Sequence, residues 1–309
     1  MIKNLAITPP VLGRISIGRV VEKNGKRLPE KDDQFTLTTQ IQTRDGWLLH
    51  PLDEQLRQDS PGGKLRSIPV RMLFNDPELN LRAEYTLFDR QTGRPQCVGN
   101  GDTCLRRTDK GIQPLPCPAP DQCPLAQGGA CKPYGRLVVR IGDDEDVGAF
   151  IFRTTGYNSI RTLAARLRYY HALSGGLLAT LPLALRLRGK STSQSHRAPI
   201  YYVDLTLRDD TSLADAIADA RQLAQAREEQ GIDQAALDAA AKAGFGNGAF
   251  EDSEEEGLQV IEEFMPVRTD NGEQTNKAGT PDSHLPEAKD DTPPERLRQK
   301  LGLAQPSAS

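Results

Sequence analysis

Five cysteines stand within 35 residues, from Cys97 to Cys131, and the rest of the 309-residue chain has none. The stretch 97–135 also carries six prolines. Proline breaks helices and is excluded from central strands, so this segment predicts little regular structure of its own. An irregular piece of about 40 residues inside a folded domain needs something to hold it. Disulfides do not suit a reducing compartment. The intervals of six, twelve, five and seven residues between successive cysteines let a turning backbone aim thiolates at one point. Zinc takes four thiolates in a closed tetrahedral shell, which leaves no open position for chemistry and makes such a site structural. It supplies on the order of 10 kcal/mol of folding energy. An iron–sulfur cluster also uses four cysteines, and thiols without a ligand are the plain alternative. Cys117, Cys123 and Cys131 are the expected ligands, with Cys97 or Cys104 as the fourth.

The remaining sequence alternates between strand and helix signals. "VLGRISIGRVVEK", "DQFTLTTQIQ", "SIPVRMLF" and "NLRAEYTLFD" place apolar residues at every second position, as half-buried strands do. Residues 51–66 read as a polar loop with a turn at "SPGGK". "GRLVVRIG" and "VGAFIFRTT" read as a hairpin. The spacing of Ile160, Leu163, Ala164, Leu167 and Tyr170 predicts an amphipathic helix over 158–173, capped by Asn158 or Ser159 and ended by Gly175–Gly176. "LLATLPLALRLRGK" and "APIYYVDLTLRD" return to strand periodicity. Ser212 or Thr211 opens a helix with Leu213, Ile217, Ala220 and Ala224 inward, and Asp233 caps a second one. The fold class expected is α+β: a β-rich body (1–96 and 136–210) with a zinc module (97–135) inserted between strands, one helix packed on the sheet, an αα-hairpin (211–245) and an acidic, largely disordered tail (246–309).

Charge divides the chain. Residues 246–309 hold 14 acidic and 6 basic side chains, leaving a net +5 on residues 1–245. A basic body suits an anionic partner. Arg161, Arg166 and Arg168 on the predicted helix, with Arg186, Arg188, Lys190 and Arg197 in "RLRGKSTSQSHR", are candidates for phosphate contacts, and Tyr169, Tyr170, Tyr201 and Tyr202 offer stacking surface. A solvated helix face and loop is the competing reading. The helical hairpin lacks base-reading side chains on its second helix, "QAALDAAAKAG". Asp143–Asp146 reads as a charged turn rather than a metal site. His50, His171, His196 and His284 fall in no HExxH pattern, and "RGKST" lacks the first glycine of a phosphate loop because position 184 is Ala184. No enzymatic motif emerges. The longest apolar run, Leu177–Leu185, contains Pro182 and is too short to span a bilayer. With no leader pattern at the start, a cytoplasmic protein without membrane contact is expected.

One ordered set of motifs is informative as a set: "RISIGRVVEKNGKRLPEKDDQFTLTT", then "CVGNGDTCLRR", "PCPAPDQC", "ACKPYGRLVVRIG" and "GAFIFRTTGYNSIRTL". Over residues 10–210 the chain resembles the phage recombination directionality factor family and related mobile-element proteins described as hydrolase or metal-binding. The resemblance implies a non-enzymatic regulatory factor that binds a site-specific recombinase, or its DNA complex, and turns it toward excision. It also implies Cys97 as the fourth ligand, since the family commonly has alanine where Cys104 stands. This chain has both cysteines. The alternatives are a zinc-containing nucleic-acid-binding protein of plasmid or phage replication, and a metal-dependent hydrolase.

Overall fold

The computed structural model describes residues 7, 9–23, 26–43, 46–143, 148–191, 199–245, 248–250 and 254–264. The N-terminal alternation produces β1 (Val11–Lys23) and β2 (Lys26–Thr43), an antiparallel pair extended by β3 (Gly46–Leu49). A helix, α1 (Pro51–Gln58), then occupies part of the expected loop. His50 caps it by accepting from Leu52 N, Pro51 starts it, and buried Asp53 accepts from Leu37 N at 2.7 Å and from Arg57 at 2.6 Å. Those contacts with β2, together with Leu52 and Leu56 packed against the core, fix the helix. β4 (Ser67–Met72), the single turn α2 (Pro77–Asn80) and β5 (Leu81–Phe88) follow.

The cysteine segment is more regular than its prolines suggest. β6 (Pro95–Gly99), β7 (Thr103–Thr108) and β8 (Gly111–Pro116) form an antiparallel meander. Pro114 and Pro116 are tolerated because β8 ends the sheet, where a missing N–H costs no ladder bond. A short turn, α3 (Ala119–Gln122), leads into β9 (Cys131–Ile141), then β10 (Ala149–Thr154) and α4 (Tyr157–Leu173). β11 (Leu183–Lys190), β12 (Ile200–Leu207), α5 (Leu213–Glu229), α6 (Gln234–Gly244) and α7 (Glu254–Phe264) complete the described chain.

The strands join in the order β3-β2-β1-β10-β9-β5-β6-β7-β8, with a branch through β4 to β11 and β12. β9 is the junction. One edge pairs with β10, and the other pairs with β5 through residues Cys131–Leu137 and with β4 through Val139–Ile141. Successive β9 side chains face opposite ways. Leu137 and Val139 enter the main core with Phe35, Leu37, Phe150 and Phe152. α4 lies directly on this face: a Cβ at Gly135 would stand 2.9 Å from Ile160 Cγ1. Leu163 and Leu167 are fully buried beneath it.

Three local expectations change. α4 begins at Tyr157 with Gly156 as its cap, and Ser159 Oγ instead accepts from Val203 N at 3.0 Å, pinning the helix to β12. α5 buries Ala216, Ala220 and Arg227, while Leu213 is 39% exposed, because small side chains bring this helix close. The tail, expected to be largely disordered from 246 with an apolar run at "LQVIEEFMPV" able to dock on the body or a partner, contains α7 over most of that run, with Val260 1% exposed. Its apolar stripe finds a partner on the sheet. Residues 265–309 lie outside the described residues. Among the described residues, no helix is long and apolar enough to cross a membrane.

Buried Arg71 ties the outer elements to β4. It donates to Asp143 and Asp219 at 2.9 Å and to the Thr180 carbonyl. Asp143 also receives Arg208 at 2.7 Å, and that bond, with Arg71 beside it, holds the Asp143 carboxyl below its ordinary range. A carboxyl depressed in the folded state stabilises at pH values above the unfolded pKa, about 3.9, and that contribution fades as pH falls through the folded value. The stability advantage of the wild-type chain over Asp143→Asn is therefore expected at pH 6 and diminished at pH 3, measured by urea unfolding. In the core, Leu163→Ala removes a fully buried side chain between α4 and the sheet. The same assay is expected to show a loss of about 2–5 kcal/mol.

Candidate metal centre

The meander and β9 bring four cysteines to one narrow cavity. Leu87 of β5 pairs with Cys97 on one side and with Cys131 on the other, which places both thiols on the face that also carries α4. Cys117 follows β8, with its N–H donating to Asp102 O at 2.8 Å. Cys123 follows α3, and its carbonyl accepts from Ala126 N at 3.0 Å. The turn between these two contains Ala119 at φ +60°, a left-handed conformation that a non-glycine residue adopts at a cost of about 1–2 kcal/mol. Cys97, Cys117, Cys123 and Cys131 line the cavity with Tyr85, Leu87, Gly99 and Arg106, and no carboxylate or imidazole of the described residues joins them.

Cys104 stands apart. It is 3% exposed, does not line the cavity, and its Sγ donates to Pro116 O at 3.6 Å. Burial and a hydrogen bond with Cys97 push its thiol up to about 11. Burial, reinforced by the charges of the other four sulfurs, pushes Cys131 up to about 12. Arg106, opposite Cys97 in the β6–β7 ladder, hydrogen-bonds Cys97 and brings positive charge to the thiols. Gly99 is required here: a Cβ would meet Cys104 Cβ at 2.7 Å and Cys117 Sγ at 2.8 Å. As the side chains stand, no group of three or more His, Cys, Asp or Glu among the described residues is arranged to hold a metal ion. Gly99 and Arg106 had no distinguishing signal in the sequence, since their part depends on the strand register.

The expected phosphate contacts are spread and mostly paired. Arg166 and Arg188 both reach Asp204, at 3.0 and 3.6 Å. Arg168 meets Glu78 at 3.3 Å, and Arg186 bonds Asp209 and Thr206. Lys190 donates to Asn158 Oδ1 at 3.2 Å and lies over the Tyr202 ring. Arg161 is exposed on α4, and Arg197 lies outside the described residues. Asp204 thus draws Arg166 of α4 and Arg188 of β11 together and neutralises part of their charge. His171 contacts Asn75 O at 2.9 Å, tying α4 to the loop before α2.

The opposite face of the sheet carries a basic row that the sequence did not reveal. Arg82, Arg136 and Arg153 occupy directly facing positions on β5, β9 and β10. Over them lie Phe245, Gly248–Phe250 and α7. Phe245 stacks on Arg82 with 4.2 Å from guanidinium carbon to ring centre. Gly248 O accepts from Arg136 at 3.3 Å. Val260, Ile261 and Phe264 pack with Phe88 and Tyr134.

A family model described as Gp3-like, recombination directionality factor-like, matches residues 12–208. The match spans the sheet, the thiol cavity and α4. No curated protein and no solved structure matches the chain.

The close packing at Gly99 gives a direct check on the cavity. Gly99→Ala is expected to cost about 1–3 kcal/mol in urea unfolding. It should also displace the Cys117 thiol, accelerating its reaction with a disulfide reagent, read by mass spectrometry of modified peptides. Unchanged stability and reactivity would mean that Cys117 does not close over β6 as described.

Proposed function

We propose, from the premise that the chain belongs to the Gp3-like, recombination directionality factor-like family, that it is a non-enzymatic regulator of a site-specific recombinase, acting by direct contact with the enzyme or its DNA complex. The observation that carries this reading is the family match over residues 12–208. The sheet and α4 fall wholly inside that span, so the body of the protein is the family's own unit. The regulatory role in recombination is the family's. The direct contact with an integrase of a phage or other mobile element is the finer step proposed here.

Within that reading, the cysteine cavity is a structural zinc site held by Cys97, Cys117, Cys123 and Cys131. The donor set fits: four thiols share one lining, and no imidazole or carboxylate competes. Zinc bound there would neutralise the thiolates and cross-link the meander to the start of β9. Arg106 would hydrogen-bond a ligand sulfur from outside the shell, and Gly99 keeps the space into which Cys117 turns. Cys104, turned toward Pro116 O, is the spare thiol. A four-thiol site of this kind anchors structure and leaves no position for a reacting water.

Two measurements on one protein preparation test the reading. Metal analysis of the purified chain is expected to give about one zinc per chain. Ser at Cys97, Cys117, Cys123 or Cys131 should lose it, and Cys104→Ser should keep it. An in vitro recombination assay with the cognate integrase should show excision promoted by the wild-type chain. Metal-dependent hydrolysis without any effect on recombination would replace this function with an enzymatic one. Zinc retained by Cys97→Ser and lost by Cys104→Ser would reassign the fourth ligand.

A further inference from the structure

Residues 246–264 contain seven acidic side chains and no basic one. Of this stretch, Gly248–Phe250 and α7 lie on a face of the sheet that carries arginines. Like charges on directly facing strand positions repel, and Arg82, Arg136 and Arg153 form such a row, in which Glu84, 3.9 Å from Arg82, offsets part of the charge. Arg14 of β1 and Arg107 of β7 stand on the same face, Arg107 toward the Phe88 end of β5. Every contact from above has the matching chemistry. Phe245 and Phe250 lie over Arg82 and Arg107 at 4.2 and 5.9 Å. The carbonyls of Gly248 and Phe264 accept from Arg136 and Lys132 at 3.3 and 3.4 Å. Burial pushes the Glu263 carboxyl up, and the nearby Arg14 and Arg153 charges partly oppose that.

The apolar part of the contact is small. Val260, Ile261 and Phe264 meet Phe88 and Tyr134, with the Tyr134 ring 5.4 Å from Phe88 and 6.4 Å from Phe264. Gly257 crosses the turn after β5 so closely that a Cβ would stand 2.0 Å from Gly93 O. The receiving surface is therefore an aromatic socket beside a guanidinium row. Guanidinium groups are at home in water, so this face tolerates exposure better than an apolar face built for permanent burial.

We propose that this outer sheet face is a receptor for an acidic amphipathic helix of a partner protein, and that α7, with Phe245 and Gly248–Phe250, occupies it in cis until the partner displaces it. The seated α7 shows the occupant's chemistry: a helix with acidic residues and an apolar stripe. Duplex DNA would satisfy the arginines but not the Phe88–Tyr134 socket. The recombination reading bears only on who the partner is. The surface stands without it.

The test uses the full chain and a fluorescent synthetic peptide of residues 245–266. A tethered segment competes at an effective concentration of order millimolar, so the wild-type chain is expected to bind the peptide poorly. Val260→Asp should release α7, seen as loss of amide protection over 254–264 with the core still protected. That variant should bind the peptide about 100-fold more tightly than wild type. Binding should weaken with added salt, and adding Arg107→Glu should reduce it about tenfold. Loss of α7 protection without any gain in peptide binding would overturn the proposal, as would unchanged protection in Val260→Asp. Displacement of the peptide by a short DNA duplex would overturn it in favour of a phosphate-binding face. In the recombination assay, Val260→Asp is expected to promote excision at a lower protein concentration than wild type. Peptide binding with no recombination effect from either chain would refute the proposed function and leave the surface intact.

Discussion

β9 constrains everything else, because its backbone must satisfy hydrogen bonds to three strands at once. Buried N–H and C=O groups left unpaired are expensive. β10 takes one edge, and β5 and β4 divide the other. A slip of one residue would exchange the two faces of the strand. Leu137 and Val139 would leave the core, and Cys131 would leave the thiol cavity. The same register that sets the core therefore sets both candidate sites. Cys131 and Gly135 face α4, while Lys132, Tyr134 and Arg136 face the C-terminal segment. The thiol cavity and the arginine row are two sides of one strand.

That arrangement explains which parts of the fold were legible in the sequence. Strands such as β1, β2, β5 and β10 announce themselves by period two, and α4 by its run of Ile160, Leu163 and Leu167. These signals are local. α1 was missed because Asp53 and Arg57 bond to β2 over a long range and its apolar pair, Leu52 and Leu56, is too short a pattern to stand out among polar residues. The meander was missed because prolines count against strands in general, yet an edge strand accepts them. The cysteine cluster was visible as composition. Its sorting into four cavity thiols and one aside was not, because it depends on Gly99 pairing with Cys104 while Cys97 pairs with Arg106. The arginine row was invisible for the same reason: residues 82, 136 and 153 become neighbours only through the ladder.

The basic residues that the sequence did single out show the opposite outcome. Arg166 and Arg188 do come together, but on Asp204, which is 7% exposed. A buried carboxylate requires such partners. Much of the positive charge in "RLRGK" and on α4 thus serves to seat β12 beneath the helix. Clustering of Lys and Arg in sequence is weak grounds for a phosphate surface unless the acidic residues brought in by the fold are counted too.

The energetics of the C-terminal segment follow from magnitudes. Fixing each backbone residue costs roughly 1–2 kcal/mol. Burying a large apolar side chain returns about 1.5–3 kcal/mol. α7 spans 11 residues and brings Val260, Ile261 and Phe264 to the socket. Helical hydrogen bonds and exposed charge pairs add modest amounts. At these magnitudes three apolar side chains return less than ordering the helix costs, so docking of α7 rests on a balance with its helical and polar contacts. The core beneath α4, with Leu163, Leu167, Phe150 and Phe152 all nearly inaccessible, has no such balance. A change at α7 of about 1.4 kcal/mol shifts its occupancy tenfold, with the sheet below unaffected. The lightly held element is the acidic one, and the face it covers is made of groups that water also satisfies.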